Sequence, residues 1–488
     1  MPTIDRRSLL AATSSVFGAA AILPPGAEAA VRDSWAPVAR ILKSIVPPAF
    51  PKRDFDIRTF GADTADQAKT TKAIAAAIAA CSQAGGGRVV VPAGTWPTGA
   101  VVLKSRVNLY LSKDATLLFS TDPKDYPLVL TRFEGVECMN YSPFIYAYGE
   151  HDIAITGEGT LDGQADATHW WDWTKQARDP KYGNAVDMLG KMADQGVPVE
   201  KRIIGDKGRL RPNFVQPYRC RNILLEGFKI VRSPMWELHP VLSQNITVRG
   251  VRIDSTGPNN DGCDPESCKN VLIEKVVFNT GDDCIAIKSG RNADGRRVGV
   301  PSENIVIRDC QMIGGHGGVS LDSEASGGIR NIFVRNCHMG SPNLNRALRL
   351  KSNSYRGGYI TDVVFRDVTV DEVANDILQV TLDYGEGNGG AFKPKMGRVL
   401  MQNVSCKKAR RAFDIAGYPD NPIDTIDLRD CTFDNVADPA FVTSADVKAR
   451  NVKINGKPWQ PVMATPDEIA RHHVGADTGP RESSKTGT

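Results

Sequence analysis

Asn245-Ile-Thr-Val-Arg-Gly-Val251 returns, with its apolar residues in the same places, as Asn270-Val-Leu-Ile-Glu-Lys-Val276, Asn304-Ile-Val-Ile-Arg-Asp-Cys310 and Asn331-Ile-Phe-Val-Arg-Asn-Cys337. Asn222-Ile-Leu-Leu-Glu-Gly-Phe228 precedes them, and weaker copies begin at Asp362, Arg398 and Thr425. Asp152 opens an earlier copy and Asn451 a last partial one. From 222 to 425 the starts are separated by 23, 25, 34, 27, 31, 36 and 27 residues. Counting each start as position zero, apolar residues stand at +1 and +3, the alternation of a strand with one buried face. The phase then slips, and the next apolar positions are +6 and +8. Between the two runs, +5 is Gly, Gly, Lys, Asp, Asn, Asp, Asn and Asp. Gly, Asn and Asp tolerate a left-handed backbone better than other residues. Each copy therefore reads as strand, one-residue bend, strand, with both strands facing one core. Stacked units of this kind predict an all-β fold, a single parallel β-solenoid with longer loops inserted in some coils. Unrelated strands in a sandwich would not keep the same bend through in-phase copies.

The solenoid reading reorganises the rest of the chain. A length of 488 residues alone suggests two to four domains at roughly 100–200 residues each. A one-dimensional stack has no fixed core size and takes residues 51–465 as one domain. Apolar residues at 41% and charged residues at 24% exclude wholesale disorder and a membrane bundle. A net charge of +4, without concentrated basic runs, argues against a nucleic-acid binder. Cys310, Cys337 and Cys431 fall on the inward +6 position and Cys406 on +8, while Cys220 and Cys268 share position −2. They read as small core residues, so few or no disulfides are expected. No cysteine pair has a zinc-like spacing matched by histidines.

The ends differ from the middle. Arg6-Arg7, an apolar stretch Leu9–Leu23 and Ala27-Glu28-Ala29 read as an export signal over 1–29, of twin-arginine type. A periplasmic or secreted protein without a membrane anchor after cleavage is the expectation. Residues 30–50 read as a linker and 466–488 as a polar tail. Thr70–Ala84 carries Ile74, Ile78 and Cys81 at helical spacing and is ended by Gly85-Gly86-Gly87. Such a helix would cap the open N-terminal end of the core. Asp162–Pro217 interrupts the repeat and holds Trp170, Trp171 and Trp173.

Acidic residues gather at Asp261, Asp264, Asp282 and Asp283, in Asn259-Asn260-Asp261-Gly262 and Gly281-Asp282-Asp283-Cys284. The two groups are 21–22 residues apart, close to one coil, and neighbouring strands lie about 4.8 Å apart. Asp282 and His316 both stand at +12 from their starts, so His316 should stack on Asp282. One coil on, Arg346, Arg349 and Lys351 supply cations. Clustered carboxylates cannot all ionise freely, so one can donate a proton while another activates water. That is the requirement for glycoside hydrolysis, where a carboxyl separation of roughly 6.5–9.5 Å gives inversion. The cations would bind an anionic sugar. Asp264, before Pro265, reads equally well as a turn former, and a calcium site built from the same aspartates is a competing reading.

At these residues the chain closely resembles the polygalacturonase family, glycoside hydrolase family 28. Four motifs of that family, N-T-D, D-D, G-H-G and R-I-K, stand here in order as Asn259-Asn260-Asp261, Asp282-Asp283, Gly315-His316-Gly317 and Arg349-Leu350-Lys351. Phe60-Gly61-Ala62-Asp63, Pro92-Ala93-Gly94-Thr95, Ser233-Pro234-Met235-Trp236 and His239-Pro240 are also similar to it. The resemblance implies a right-handed parallel β-helix of about ten coils. It also implies metal-free, cofactor-free inverting hydrolysis of α-linked galacturonic acid in a pectic polysaccharide or oligosaccharide. On that reading Asp282 is the general acid, Asp261 and Asp283 hold and deprotonate water, and His316 tunes the acid. Arg349 and Lys351 grip the substrate carboxylate. Lys288, with Glu134-Gly135-Val136-Glu137, resembles bacterial exo-acting members, and Lys288 and His239 join the substrate-binding set. An exo enzyme needs a wall closing one end of its cleft; the 162–217 insertion reads either as that wall or as a coil extension. Asn260, Leu350 and Asp322 depart from the family pattern, and Asp322 bears on oligogalacturonide specificity. A β-solenoid polysaccharide lyase using an arginine base and calcium, or a non-catalytic carbohydrate-binding solenoid, are the alternatives.

Overall fold

The computed structural model describes residues 34–473; the expected export signal and the end of the polar tail lie outside these. The chain winds into a parallel β-helix whose strands form stacked ladders. The first ladder begins at Asp54–Asp56, passes through Gly87–Val91, Val107–Leu111 and His151–Gly157, and ends at Ala445–Ile454. It thus extends further toward the N-terminus than the asparagine pattern. A second ladder begins just after the +6 residues and carries the +8 residues, as in Arg252–Ser255 on Val277–Thr280. A third runs through Ile285–Ile287, Val319–Leu321, Leu348–Lys351 and onward to Phe441–Thr443. One continuous core, from Ile57 to Val452, fills the tube.

Backbone conformation explains the repeat. Every +5 residue from Gly227 to Asp430 has positive φ, including Lys275 at 56°. Position zero is left-handed as well: Asn222, Asn245, Asn270, Asn304, Asn331, Asp362 and Arg398 all have φ between 54° and 60°. The asparagines also bond to one another along the stack. Each Nδ2 donates to the Oδ1 one coil earlier, at 3.3 Å for Asn245 to Asn222, 3.2 Å for Asn270 to Asn245, and 3.1 Å for Asn304 to Asn270 and Asn331 to Asn304. Asn222 closes the series on Asp152 at 2.8 Å. The same residue thus satisfies the left-handed turn and fixes the register of neighbouring coils.

The ten cysteines are buried, and Cys310, Cys337 and Cys431 occupy the core as their +6 positions require. The helix Gln67–Gln83 buries Ile74, Ile78 and Cys81 against the first coils, with Asp66 capping its N-terminus. Two stretches differ from expectation. Residues 30–50 are not all linker: the helix Ala36–Ser44 lays Val38 and Ile41 on Leu272, Val306 and Phe333, outward-facing residues of the first ladder. Its apolar stripe covers a patch of sheet that would otherwise face water. The polar tail likewise begins with a helix, Pro466–His473. Among the described residues no helix is long and apolar enough to cross a membrane.

Replacing Asn304 tests the ladder. Asn304→Ala removes two side-chain hydrogen bonds and a residue suited to left-handed φ, and should cost about 1–3 kcal/mol. Asn304→Gly keeps the backbone freedom and should cost less. Urea midpoints would check this; equal midpoints for wild type and the alanine variant would contradict it.

Candidate active site

The site forms in the turns that lead into the third ladder. Asn259–Asp264, Gly281–Cys284 and Gly315–Gly317 occupy the same turn in three successive coils, joined by Gly262 N–H to the Asp283 carbonyl at 3.0 Å and Cys284 N–H to the Gly317 carbonyl at 2.8 Å. The last turn comes too close for side chains. A Cβ on Gly315, whose φ is +146°, would lie 2.3 Å from the Asp282 carbonyl oxygen, and one on Gly317 would lie 2.8 Å from Asp283 Oδ1. The two glycines flanking His316 therefore let its coil seat against the aspartates. Asn260 is a satisfied buried group, its Oδ1 accepting from Ser255 Oγ and Gly257 N–H and its Nδ2 donating to the Ser233 and Met235 carbonyls.

Asp261, Asp282 and Asp283 each bring a carboxylate oxygen within 4.8 Å of the others. This is closer than the wide pair expected from general glycosidase geometry, because one coil rise and one peptide link set the spacing. His316 Nδ1 lies 2.8 Å from Asp282 Oδ1, the contact that the shared +12 position requires. Burial opposes the charge on Asp282, but His316, Lys351 and Lys288 outweigh it and hold its carboxyl below the ordinary range. Burial likewise opposes the His316 imidazolium, and Asp282 outweighs that, so its pKa rises. Asp261 goes the other way: burial, then the charges of Asp264 and Asp282, push it well above the ordinary carboxyl value. Asp261 Oδ1 and Asp283 Oδ1 are buried without a protein hydrogen-bond partner.

Cations surround the cluster. Lys351 Nζ lies 3.5 Å from Asp283 and 3.0 Å from Asp322. Lys288 Nζ donates to Asp322 and lies 3.6 Å from Asp261. Asp322, the departure noted in the sequence, thus ties the two lysines together. Arg349 and Lys351 both face the Tyr384 ring, at 5.5 and 5.0 Å from its centroid. A calcium ion takes six to eight oxygen ligands. Here two ammonium groups and an imidazole stand against the carboxylates, a donor set that fits a cation-compensated cluster better than a calcium cage.

His239 is not in the cleft. Its side chain is fully buried, bonded to Glu266 at 2.8 Å and to Asn213 and Gln216 at 3.0 Å. The hairpin Leu128–Phe133/Val136–Tyr141 reaches this region, with Arg132 pairing Glu266 at 2.7 Å. His239 belongs to this packed network behind the site. Asp264 is also buried, with neither carboxylate oxygen hydrogen-bonded.

The cleft, about 580 Å³, is also lined by residues that the sequence reading did not single out, notably Arg178, Arg291, Arg356, Tyr384 and Glu386. Arg178 comes from the insertion and donates to Glu134, which also lies 3.3 Å from Arg291. Arg356 pairs Glu386 at 3.2 Å. The insertion also buttresses the Asn259–Asp264 turn. Arg211 donates to Asn259 Oδ1 at 2.7 Å, and its own pKa is pushed down to about 9 by burial. Trp171 packs so closely on Gly257 that a Cβ there would lie 2.2 Å from the ring.

Known proteins share this fold and sequence. The family model described as glycosyl hydrolases family 28 matches residues 195–414. A hyperthermoactive exopolygalacturonase from Thermotoga maritima superposes with a TM-score of 0.83 at 41% identity, over 87% of this chain and 96% of that one. A probable polygalacturonase from Vitis vinifera is 29% identical over 76% of this chain and 72% of its own. An exo-poly-alpha-D-galacturonosidase from Dickeya chrysanthemi is 28% identical over 68% of this chain and 58% of its own. The chain belongs to glycosyl hydrolase family 28.

The Asp282–His316 pair has a pH signature. With His316 raised and Asp282 lowered, both contributions are present between the free values, about 3.9 for Asp and 6.5 for His. The contribution falls away as pH rises through the His316 value or drops through that of Asp282. In His316→Ala the loss of thermal stability above about pH 6.5 should be shallower than in wild type. Parallel midpoint-versus-pH curves on the alkaline side would contradict the pairing.

Proposed function

We propose that the protein hydrolyses α-1,4-galacturonosyl linkages in pectic polysaccharide or oligogalacturonides, releasing sugar from one chain end. The observation that carries this reading is the three-aspartate cluster, with His316 against Asp282, Lys351 against Asp283, and Arg349 lining the same cleft. Family membership and the exo-acting relatives support it. The end-on mode is supported by the Glu134–Arg178–Arg291 cluster, which lines the same cleft and brings the insertion to it.

In this reading the uronate carboxylate sits against Arg349 and Lys351 in front of Tyr384. Asp282 and His316 together carry one mobile proton; its delivery through Asp282 to the glycosidic oxygen makes Asp282 the general acid. Asp261 and Asp283 hold the attacking water between their unpartnered oxygens. Asp283 takes the water's proton as the general base. Direct attack by water gives inversion of the anomeric centre. The single unit 51–465 would carry this activity. Export by the Arg6-Arg7 signal, outside the described residues, would deliver it to pectic substrates.

Incubation with polygalacturonate in the presence of a chelator should release saturated galacturonate monomer from the first minutes. Mixed oligomers would overturn the exo mode, and a calcium-dependent ultraviolet-absorbing product would favour a lyase. Proton NMR of the first product should show the inverted anomer. Asp282→Asn should lose at least about 10²-fold in kcat, and near-normal turnover would reject its acid role.

A further inference from the structure

One column of outward side chains leaves the cleft and runs to the far end of the helix. Arg349, Gln379, Asp414 and Phe441 occupy equivalent positions in successive coils of the third ladder. They are linked by more than stacking. Arg349 Nε donates to Gln379 Oε1 at 2.9 Å, and Gln379 Nε2 donates to Asp414 Oδ2 at 3.0 Å. Asp414 Oδ1 lies 2.8 Å from Nε2 of His472, on the helix Pro466–His473. Gln379 and Asp414 are both buried, so each hydrogen bond counts for more than on the surface.

The direction of the series is fixed by chemistry. Arg349 can only donate, so it faces the amide oxygen of Gln379, and the amide nitrogen must then face an acceptor. Asp414 is that acceptor, and its second oxygen takes the N–H of His472. The imidazole is itself held flat on Phe441, with ring centroids 3.8 Å apart at 8°. Glu468 anchors the start of the same helix by accepting from Thr465 N–H at 2.8 Å and Thr465 Oγ1 at 2.9 Å. Arg411, 3.6 Å from Asp414 Oδ1, is the competing partner for that oxygen.

We propose that His472 is a positioning residue for the cleft, orienting the Arg349 guanidinium through Asp414 and Gln379. This rests on the reading of Arg349 as a uronate-binding residue. The C-terminal helix, which does not line the cleft, then takes part in substrate affinity.

Four variants of the full chain separate this from a merely structural role. His472→Phe keeps a ring on Phe441 but has no N–H, and should raise KM for polygalacturonate about fivefold or more with kcat within about twofold. His472→Gln restores an N–H at a similar reach and should bring KM back toward wild type. Arg349→Ala should raise KM further, and adding His472→Phe to it should change little. A phenylalanine variant with wild-type KM, or equal additive effects in the double variant, would overturn the positioning role while leaving Arg349 as a binder. An unchanged KM in Arg349→Ala would instead reject the uronate-binding reading, and the proposal with it.

Discussion

Everything in the site depends on the register of one coil over the next, and left-handed residues hold that register. A left-handed asparagine begins the first-ladder strand of five successive coils from Asn222 to Asn331 and donates to the coil below it. A slip by one residue in a strand would turn every inward side chain outward. It would also separate His316 from Asp282, whose 2.8 Å contact exists only because both stand twelve residues after their asparagines. Structure and chemistry therefore share one constraint.

The electrostatics follow from packing charges at coil spacing. Three carboxylates within 4.8 Å would repel strongly if all were ionised and unaccompanied. The protein answers with the ammonium groups of Lys288 and Lys351 and the imidazole of His316 set around the cluster. Asp322 has a further part, since it bridges Lys288 and Lys351 and so fixes two ammonium groups relative to the aspartates. The same spacing lets a polar column run from Arg349 to the last described helix.

Much of this was legible in the sequence, because solenoid positions translate directly into spatial ones. The bends at +5, the core cysteines and the pairing of Asp282 with His316 could be read by counting from each start. Position zero was seen only as a marker; its left-handed backbone and side-chain ladder needed the structure. The N-terminal helix over Leu272 and Phe333 was hidden because its partners face outward from the strands and look like ordinary surface residues. His239 was misplaced for the opposite reason: its motif resembles a binding site, but a hairpin from an earlier loop reaches its network. Arg178, Arg291 and Glu134 come from three separate loops, where no period links one residue to another.

The central claim is that coil register places a chain-end galacturonate between the aspartate cluster and the Glu134–Arg178–Arg291 wall. A crystal structure of Asp282→Asn with trigalacturonate tests it most directly. The account predicts the scissile oxygen beside residue 282, a uronate carboxylate on Arg349 and Lys351, and the sugar chain ending at the wall. A chain that runs past Arg178 and Arg291, or carboxylates that avoid Arg349 and Lys351, would contradict it.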